Sequence, residues 1–362
     1  MQRLHPGMVD VHTDLLTAQA LAERLLITAG VPTESAAQQA ELLVVAEAKG
    51  MPSHGLLRLP RLLRRLANGT ASPTSTGCHT WMSPCYLSVD GRQGLGPVVA
   101  VRALEAIVPA AEQYGVAVCS ITNNNHLGML GYYAGRMADR GLVCLGITTS
   151  EALVHPWGGT EAMLGTNPLA LAVPAQPPLV LDMATSQISM GKVHDHALRG
   201  VPLEPDWALD ADGNQTVDPV AAKDGSIAPF GGAKGYGLGL GLGAMVTFLT
   251  GAAYGTAVGG TLDDDHLSNK GDLFILLSGG RRSATEYLDE VRRSRPADPA
   301  KPVAVPGDGA RTRYRESVAH GIEIADDLWR ELTRLDTSLD PSRDTCQDTC
   351  QDAARREAVL AD

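Results

Sequence analysis

The chain has 362 residues, 44% hydrophobic and 20% charged, the balance of a soluble globular protein with two or three domains or one large α/β unit. A formal charge of −11 argues against nucleic acid as a partner, since gripping phosphates takes a basic surface, and no run approaches the roughly 20 apolar residues of a membrane span. The opening Met-Gln-Arg-Leu-His-Pro-Gly has no apolar signal core, and six cysteines without a CxxC pair suit free thiols in a reducing cytoplasm rather than zinc or thioredoxin chemistry.

Aromatic residues are scarce at 4% and Gly reaches 39, so the core must rely on Leu, Val, Ile and Ala with close backbone contacts. From His12 to Gly30 apolar residues recur at a helical period, and Gly30 suits the turn that follows. A second helix opens at Pro32-Thr33-Glu34, with Thr33 as candidate cap, and runs to Gly50. In Met51–Arg58, Pro52 should end that helix and Ser53 should cap a third that continues to Asn68-Gly69. His54 and Arg58, four apart, would then share one face. That pairs an imidazole able to move a proton near neutral pH with a guanidinium able to fork onto a carboxylate. Taken alone, the stretch is better explained as a capped helix with two solvated polar residues.

Thr70–Thr80, rich in Ser, Thr and Pro, reads as a linker. Beyond it β-like runs alternate with helices: Tyr86–Asp90, a helix over Val98–Gln113, Val116–Ile121, a helix over Gly131–Arg140, then Leu142–Thr148, Leu169–Val173 and Leu179–Asp182. Asp210–Asn214 reads as a hairpin turn, Lys234–Phe248 as a glycine-rich apolar helix, and Leu273–Leu277 as a strand. Helices at Ala284–Arg293, Arg311–His320 and Asp326–Leu335 close the fold. The division expected is a helical region over residues 1–75, a mixed-sheet cofactor and substrate region over 76–283, and further helical chain over 284–339. Residues 340–362, with the duplicated Asp-Thr-Cys-Gln that holds Cys346 and Cys350, are expected to be disordered.

Four more polar clusters stand out. Asn123-Asn124-Asn125-His126-Leu127-Gly128 follows a strand directly, where α/β sheets place ligands, although a turn with local Asn bonds is its plain alternative. Gly165-Thr166-Asn167-Pro168 offers hydroxyl, amide and bare backbone. Asp182-Met183-Ala184-Thr185 ends an apolar strand with small residues that could cradle a nucleotide, with Lys192 ten residues on. Phe230–Gly237 is a glycine-rich loop with Lys234 entering a helix, whose N-terminus favours anions. Gly239, Gly241 and Ala244 formally match GxGxxG/A, but no strand precedes them, so helix packing explains them and no dinucleotide fingerprint survives. His194-Asp195-His196 and Asp263–His266 read as solvated loops, and no metal is expected.

Ser-His-Gly-x-x-Arg, Asn-x-His-x-Gly, Gly-Thr-Asn-Pro, Asp-Met-Ala-Thr and Lys-Gly-Tyr-Gly, in this order, resemble the malate/L-lactate dehydrogenase family that lacks the Rossmann fold. Sulfolactate, ureidoglycolate, diketogulonate and piperideine-2-carboxylate enzymes belong to it. The resemblance runs from about Leu15 to Leu335 and implies an α/β fold in which a non-Rossmann mixed sheet binds NAD or NADP beside a helical domain built from both chain ends. It implies a cytoplasmic homodimer and a small carboxylate substrate. By this resemblance Ser53 and His54 form a proton-transfer pair, Arg58 holds the substrate carboxylate, and His126 is the alternative acid/base. Thr166 becomes a substrate contact. His126, Leu127, Gly128, Met129 and Leu130, then Asp182, Met183, Ala184 and Thr185, and finally Lys234, Gly235, Gly307 and Asp308 become cofactor contacts.

Two departures bear on function. Ser278–Thr285 is short for the family, and Lys192 stands where the cyclic-imine reductases tend to have Asp. An iminium favours a nearby anion and a 2-oxo acid a cation, so Lys192 tilts the reading toward a 2-oxo acid/2-hydroxy acid pair, with Lys192 or Lys234 stabilising charge on oxygen. The alternatives are reduction of a cyclic imine carboxylate and, more distantly, a non-catalytic nucleotide-binding protein.

Overall fold

The computed structural model describes residues 10–336, so the opening heptapeptide and the tail with Cys346 and Cys350 lie outside the described residues. Strand β1 (Val11–Thr13) leads into α1 (Leu15–Thr28), where the Asp14 carboxylate accepts from the Thr17 amide at 2.8 Å and caps the helix. Next come α2 (Thr33–Ala48), two single 3₁₀ turns at Pro52–His54 and Leu56–Arg58, and α3 (Leu59–Ala67). A hairpin of β2 (Cys78–Ser83) and β3 (Tyr86–Asp90) is followed by α4 (Gly96–Tyr114), β4 (Val116–Thr122), α5 (Leu130–Asp139) and β5 (Val143–Thr148). Strands β6 (Leu169–Val173) and β7 (Leu179–Met183) precede α6 (Met190–Arg199) and the short β8 (Ala208–Leu209), β9 (Gln215–Thr216) and β10 (Ser226–Ile227). Then follow α7 (Ala233–Thr250), β11 (Gly271–Leu277), α8 (Thr285–Arg293), α9 (Asp308–His320), β12 (Ile322–Ile324) and α10 (Asp326–Leu335).

The main sheet has seven strands in the order β2-β3-β4-β11-β5-β6-β7 and is mixed. Only β3 and β4 run parallel within it, joined by α4, because a parallel pair needs a crossover of this length. The main core packs α1, α2, α4 and α5 with the sheet through residues such as Leu26, Leu42, Ile107 and Tyr133. The two ends of the described chain meet: β1 pairs with β12, and Leu328 and Leu332 of α10 join the same core. A smaller core of Ile188, Val193, Leu203 and Ile227 lies under α6 and the β8–β10 hairpin region.

Several local expectations need correction. Ser53 does not cap a helix: Gly55 takes an extended backbone that separates the two 3₁₀ turns, and α3 begins only at Leu59, so His54 and Arg58 share no α-helical face. Thr33 is the first residue of α2 rather than its cap. Part of the expected linker is the edge strand β2, held by pairing with β3 rather than by its own largely exposed side chains. His194–His196 lie on α6, not in a loop, and His196 is buried with Nδ1 3.1 Å from the Pro202 carbonyl.

The glycines of α7 pack as expected for helix contacts. A Cβ at Gly239 would stand 2.8 Å from Thr185 Oγ1, and one at Gly243 would stand 2.8 Å from Asn167 Nδ2. Bare backbone therefore lets the helix press against two of the polar clusters.

Candidate active site

Glu47 of α2 organises the loop that carries the first cluster. Its Oε1 accepts from the Leu56 amide at 2.8 Å, and its carboxyl fills the space a Cβ at position 55 would take, so a side chain there would have to push Glu47 aside. Burial raises the Glu47 pKa to about 7 against the pull of the Leu56 and Leu57 amides. Arg58 then folds back, its Nε donating to the Ser53 carbonyl at 2.7 Å. Its terminal nitrogens bond no described residue and face a cavity of about 140 Å³. His54 and Ser53 line that cavity too, with His54 Nδ1 3.0 Å from Ser53 Oγ.

The second cluster arrives from the end of β4. Asn123 takes a left-handed backbone (φ 51°) and donates to Asp90 at 3.0 Å, while buried Asn125 accepts from Arg65 Nε at 2.8 Å and donates to the Gln93 carbonyl at 2.7 Å. These bonds aim His126 at His54, with ring centroids 5.6 Å apart. The Gly128 amide donates to His126 Nδ1 at 3.0 Å, so the neutral ring carries its proton on Nε2. Both imidazoles are held neutral. Burial and then Arg58 push His54 down to about 4, and burial, Arg58, His54 and Lys270 push His126 well below the usual range.

Thr166 forms the opposite wall, its amide donating to Ser150 Oγ at 3.0 Å, and Thr185 donates to the Thr166 carbonyl at 2.8 Å. Phe230 N donates to the Thr185 carbonyl at 3.1 Å, and Gly235 lies tight against Phe230. The Thr166, Thr185 and Gly235 clusters thus meet around one point. Leu127 and Gly128 face the cavity, whereas the side chains of Met129 and Leu130 are core.

The structure also separates some expected members from the cavity. Gly191 borders it, 3.6 Å from the Ser53 Cβ by the position a Cβ would take, but the exposed Lys192 ammonium lies 5.1 Å over the Trp207 ring. Lys234 is exposed at the start of α7. Asp182 and Met183 end the edge strand β7, and Ala184 follows it. Asp182 accepts from the Gly131 amide at 2.6 Å at the start of α5, and burial raises its pKa to about 6. Gly307 (φ 99°) packs on Val180 of β7, which donates to the Pro306 carbonyl at 3.1 Å. Asp308 is clamped by Arg292 and Arg311, each at 2.9 Å, which hold its carboxyl far below the usual range.

Sequence reasoning missed Lys270. Only 2% exposed, it lines the cavity and pairs with Asp272, which is buried completely. Asp272 also accepts from Thr148 at 2.5 Å and Asn124 at 3.1 Å, so its carboxylate is fully engaged. A Lys-Gly-Asp run opening the apolar strand β11 was the signal available. Glu151 was also missed; it accepts from the Thr261 and Leu262 amides at 2.7 and 2.9 Å and ties their loop over the cavity. At Asp263–His266, donor atoms of Asp263, Asp265 and His266 lie within 4.8 Å on the surface, and the His266 ring is paired with both carboxylates.

With this geometry in place, the comparisons are specific. The sequence profile of the malate/L-lactate dehydrogenase family matches residues 14–333. L-Sulfolactate dehydrogenase of Methanocaldococcus jannaschii is 36% identical over 315 residues, covering 84% of this chain and 91% of that protein. Ureidoglycolate dehydrogenase (NAD(+)) of Escherichia coli strain K12 is 32% identical over 327 residues, covering 87% and 93%. The crystal structure of a dehydrogenase from Sinorhizobium meliloti superposes with a TM-score of 0.88 at 49% identity, covering 91% of this chain and 98% of that one. The chain belongs to the malate/L-lactate dehydrogenase family. It is an oxidoreductase, with the mixed α/β fold of that family's dehydrogenases.

Proposed function

We propose that the enzyme transfers a hydride between NAD or NADP and a small 2-oxo acid/2-hydroxy acid pair. The observation that carries this is one cavity in which Arg58 presents free guanidinium nitrogens beside two neutral imidazoles and the Lys270 ammonium. Arg58 would take the carboxylate as a fork, and Thr166 would contact the substrate from the facing wall.

The cofactor would lie from His126–Leu130 along Asp182–Thr185 to Gly307 and Asp308, with Lys234 and Gly235 at its flank. The strip fits such a group. It follows β7, the last strand of the main sheet, and the buried Ser186 Oγ next to Thr185 has no hydrogen-bond partner among the described residues. A nicotinamide there supplies or accepts the hydride. The protein's part is to hold the acid, keep out water and manage one proton.

The two histidines divide that work. With Nδ1 filled by the Gly128 amide, neutral His126 can offer Nε2–H to the substrate oxygen but has no lone pair for a proton there. His54 is free of that constraint: when its Nδ1–H donates to Ser53 Oγ, Nε2 is a base that can take the hydroxyl proton and return it in reduction. Lys270, inside the cavity, is better placed than the outlying Lys192 or Lys234 to stabilise negative charge on that oxygen.

The enzyme works as a cytoplasmic homodimer in this reading. Support for pairing is α7, an almost wholly apolar helix that leaves Leu238, Leu240 and Phe248 exposed. Among the described residues, no helix is long and apolar enough to cross a membrane.

Substituting Arg58 tests the core of the proposal. Arg58→Ala should raise KM for a 2-oxo acid by about 100-fold and Arg58→Lys by about tenfold, because a bidentate charge-assisted contact becomes none or a single point charge. Unchanged KM in both variants would refute the role.

A further inference from the structure

The cavity continues past the histidines. Beyond His54, Arg58, His126 and Gly128 lies a second compartment walled by Gln39, Leu42, Leu43, Arg61 and Leu62. Two of its polar groups have no partner among the described residues. Arg61, half-buried on the first turn of α3, meets no carboxylate and makes no side-chain hydrogen bond among the described residues. Its neighbours differ: Arg64 pairs with Asp264, and Arg65 is spent on Asn125, Thr70 and the carbonyls of Asp263 and His266. Gln39 is only 5% exposed, yet its amide bonds no described residue either.

Setting two arginines three residues apart beside a cavity costs stability unless an anion compensates. The Gln39 amide, open to the same cavity, can donate a hydrogen bond to that anion. Leu42, Leu43 and Leu62 would pack the carbons linking that anion to the reacting centre.

We infer that this compartment takes a second acidic group of the substrate, a carboxylate or a sulfonate, on Arg61 with a hydrogen bond from Gln39. The enzyme therefore favours 2-oxo acids with two anionic groups over those with one. This rests on the 2-oxo acid reading above and narrows it.

The test compares kcat/KM for oxaloacetate and 3-sulfopyruvate with that for pyruvate in the wild type and in Arg61→Gln, Arg61→Lys and Gln39→Leu. The wild type should prefer at least one dianion. The dianion-to-pyruvate ratio should fall about tenfold or more in Arg61→Gln, several-fold in Gln39→Leu, and far less in Arg61→Lys. A loss confined to one dianion identifies the acidic group as carboxylate or sulfonate. A wild-type preference for pyruvate, or a ratio that does not move in Arg61→Gln and Gln39→Leu, overturns the inference. If the wild type reduces none of the three with NADH or NADPH, the 2-oxo acid reading itself fails and takes the inference with it, a result distinct from an unmoved ratio.

Discussion

At His126 a backbone amide points at Nδ1, and no imidazolium proton can share that site. Burial and the surrounding cations act in the same direction. His54 faces a hydroxyl instead, which can donate or accept, so it can change protonation without losing its hydrogen bond. Burial and then Arg58 hold His54 at about 4, below the usual imidazole value. A substrate carboxylate on Arg58 offsets that cation and raises the His54 pKa in the complex. Oxidation of a 2-hydroxy acid needs neutral His54, so activity falls on the acid side. The acid limb of kcat should lie about one pH unit or more above that of kcat/KM, which reports the free enzyme. His54→Asn should remove the limb, while His126→Gln should keep it and lower kcat by about 100-fold. A limb lost in His126→Gln and kept in His54→Asn would reverse the assignment.

At the scale of elements, sequence periodicity exposed what local patterning controls. Tyr86–Asp90 and Leu169–Val173 emerge with the bounds expected, because each is a short apolar-rich run closed by turn residues. Helix α6 escaped notice because Val193 and His196 are its only buried residues, too few to display a period. The Met51–Arg58 loop departs from the expected capped helix for a different reason. Its shape is set by Glu47, a residue of the preceding helix whose carboxyl accepts from the Leu56 amide and fills the space beside Gly55. That support predicts a pH effect. The folded pKa of Glu47, about 7, exceeds the ordinary glutamate value of 4.5, so the native state holds the extra proton between these values. Its stabilising contribution is complete below 4.5 and lost as pH rises through 7, on the order of 3 kcal/mol in all. Glu47→Gln cannot titrate. Chemical denaturation of both proteins should show wild-type stability falling relative to the variant between pH 4.5 and 7, and a flat difference would remove Glu47 from the account.

Across the whole molecule, long-range pairing decides what no local pattern shows. Asp272 meets Asn124 across 148 positions of sequence and Thr148 across 124, so Lys270 enters the site only once β11 inserts between β4 and β5. Cluster order made the family and its mixed-sheet fold legible from sequence; the inner cation, the carboxyl under Gly55 and the second compartment required the packed chain. The exposed apolar face of α7 carries the prediction for assembly. Light scattering should give a dimer mass for the wild type, and Phe248→Asp should shift it toward the monomer by desolvating a charge at the contact. A monomeric wild type would contradict the pairing.

The most direct test follows absorbance of the reduced nicotinamide with NADH and NADPH against pyruvate, oxaloacetate, 3-sulfopyruvate and piperideine-2-carboxylate. Turnover of at least one 2-oxo acid with one of the cofactors is the predicted result. Turnover of the cyclic imine alone would contradict it.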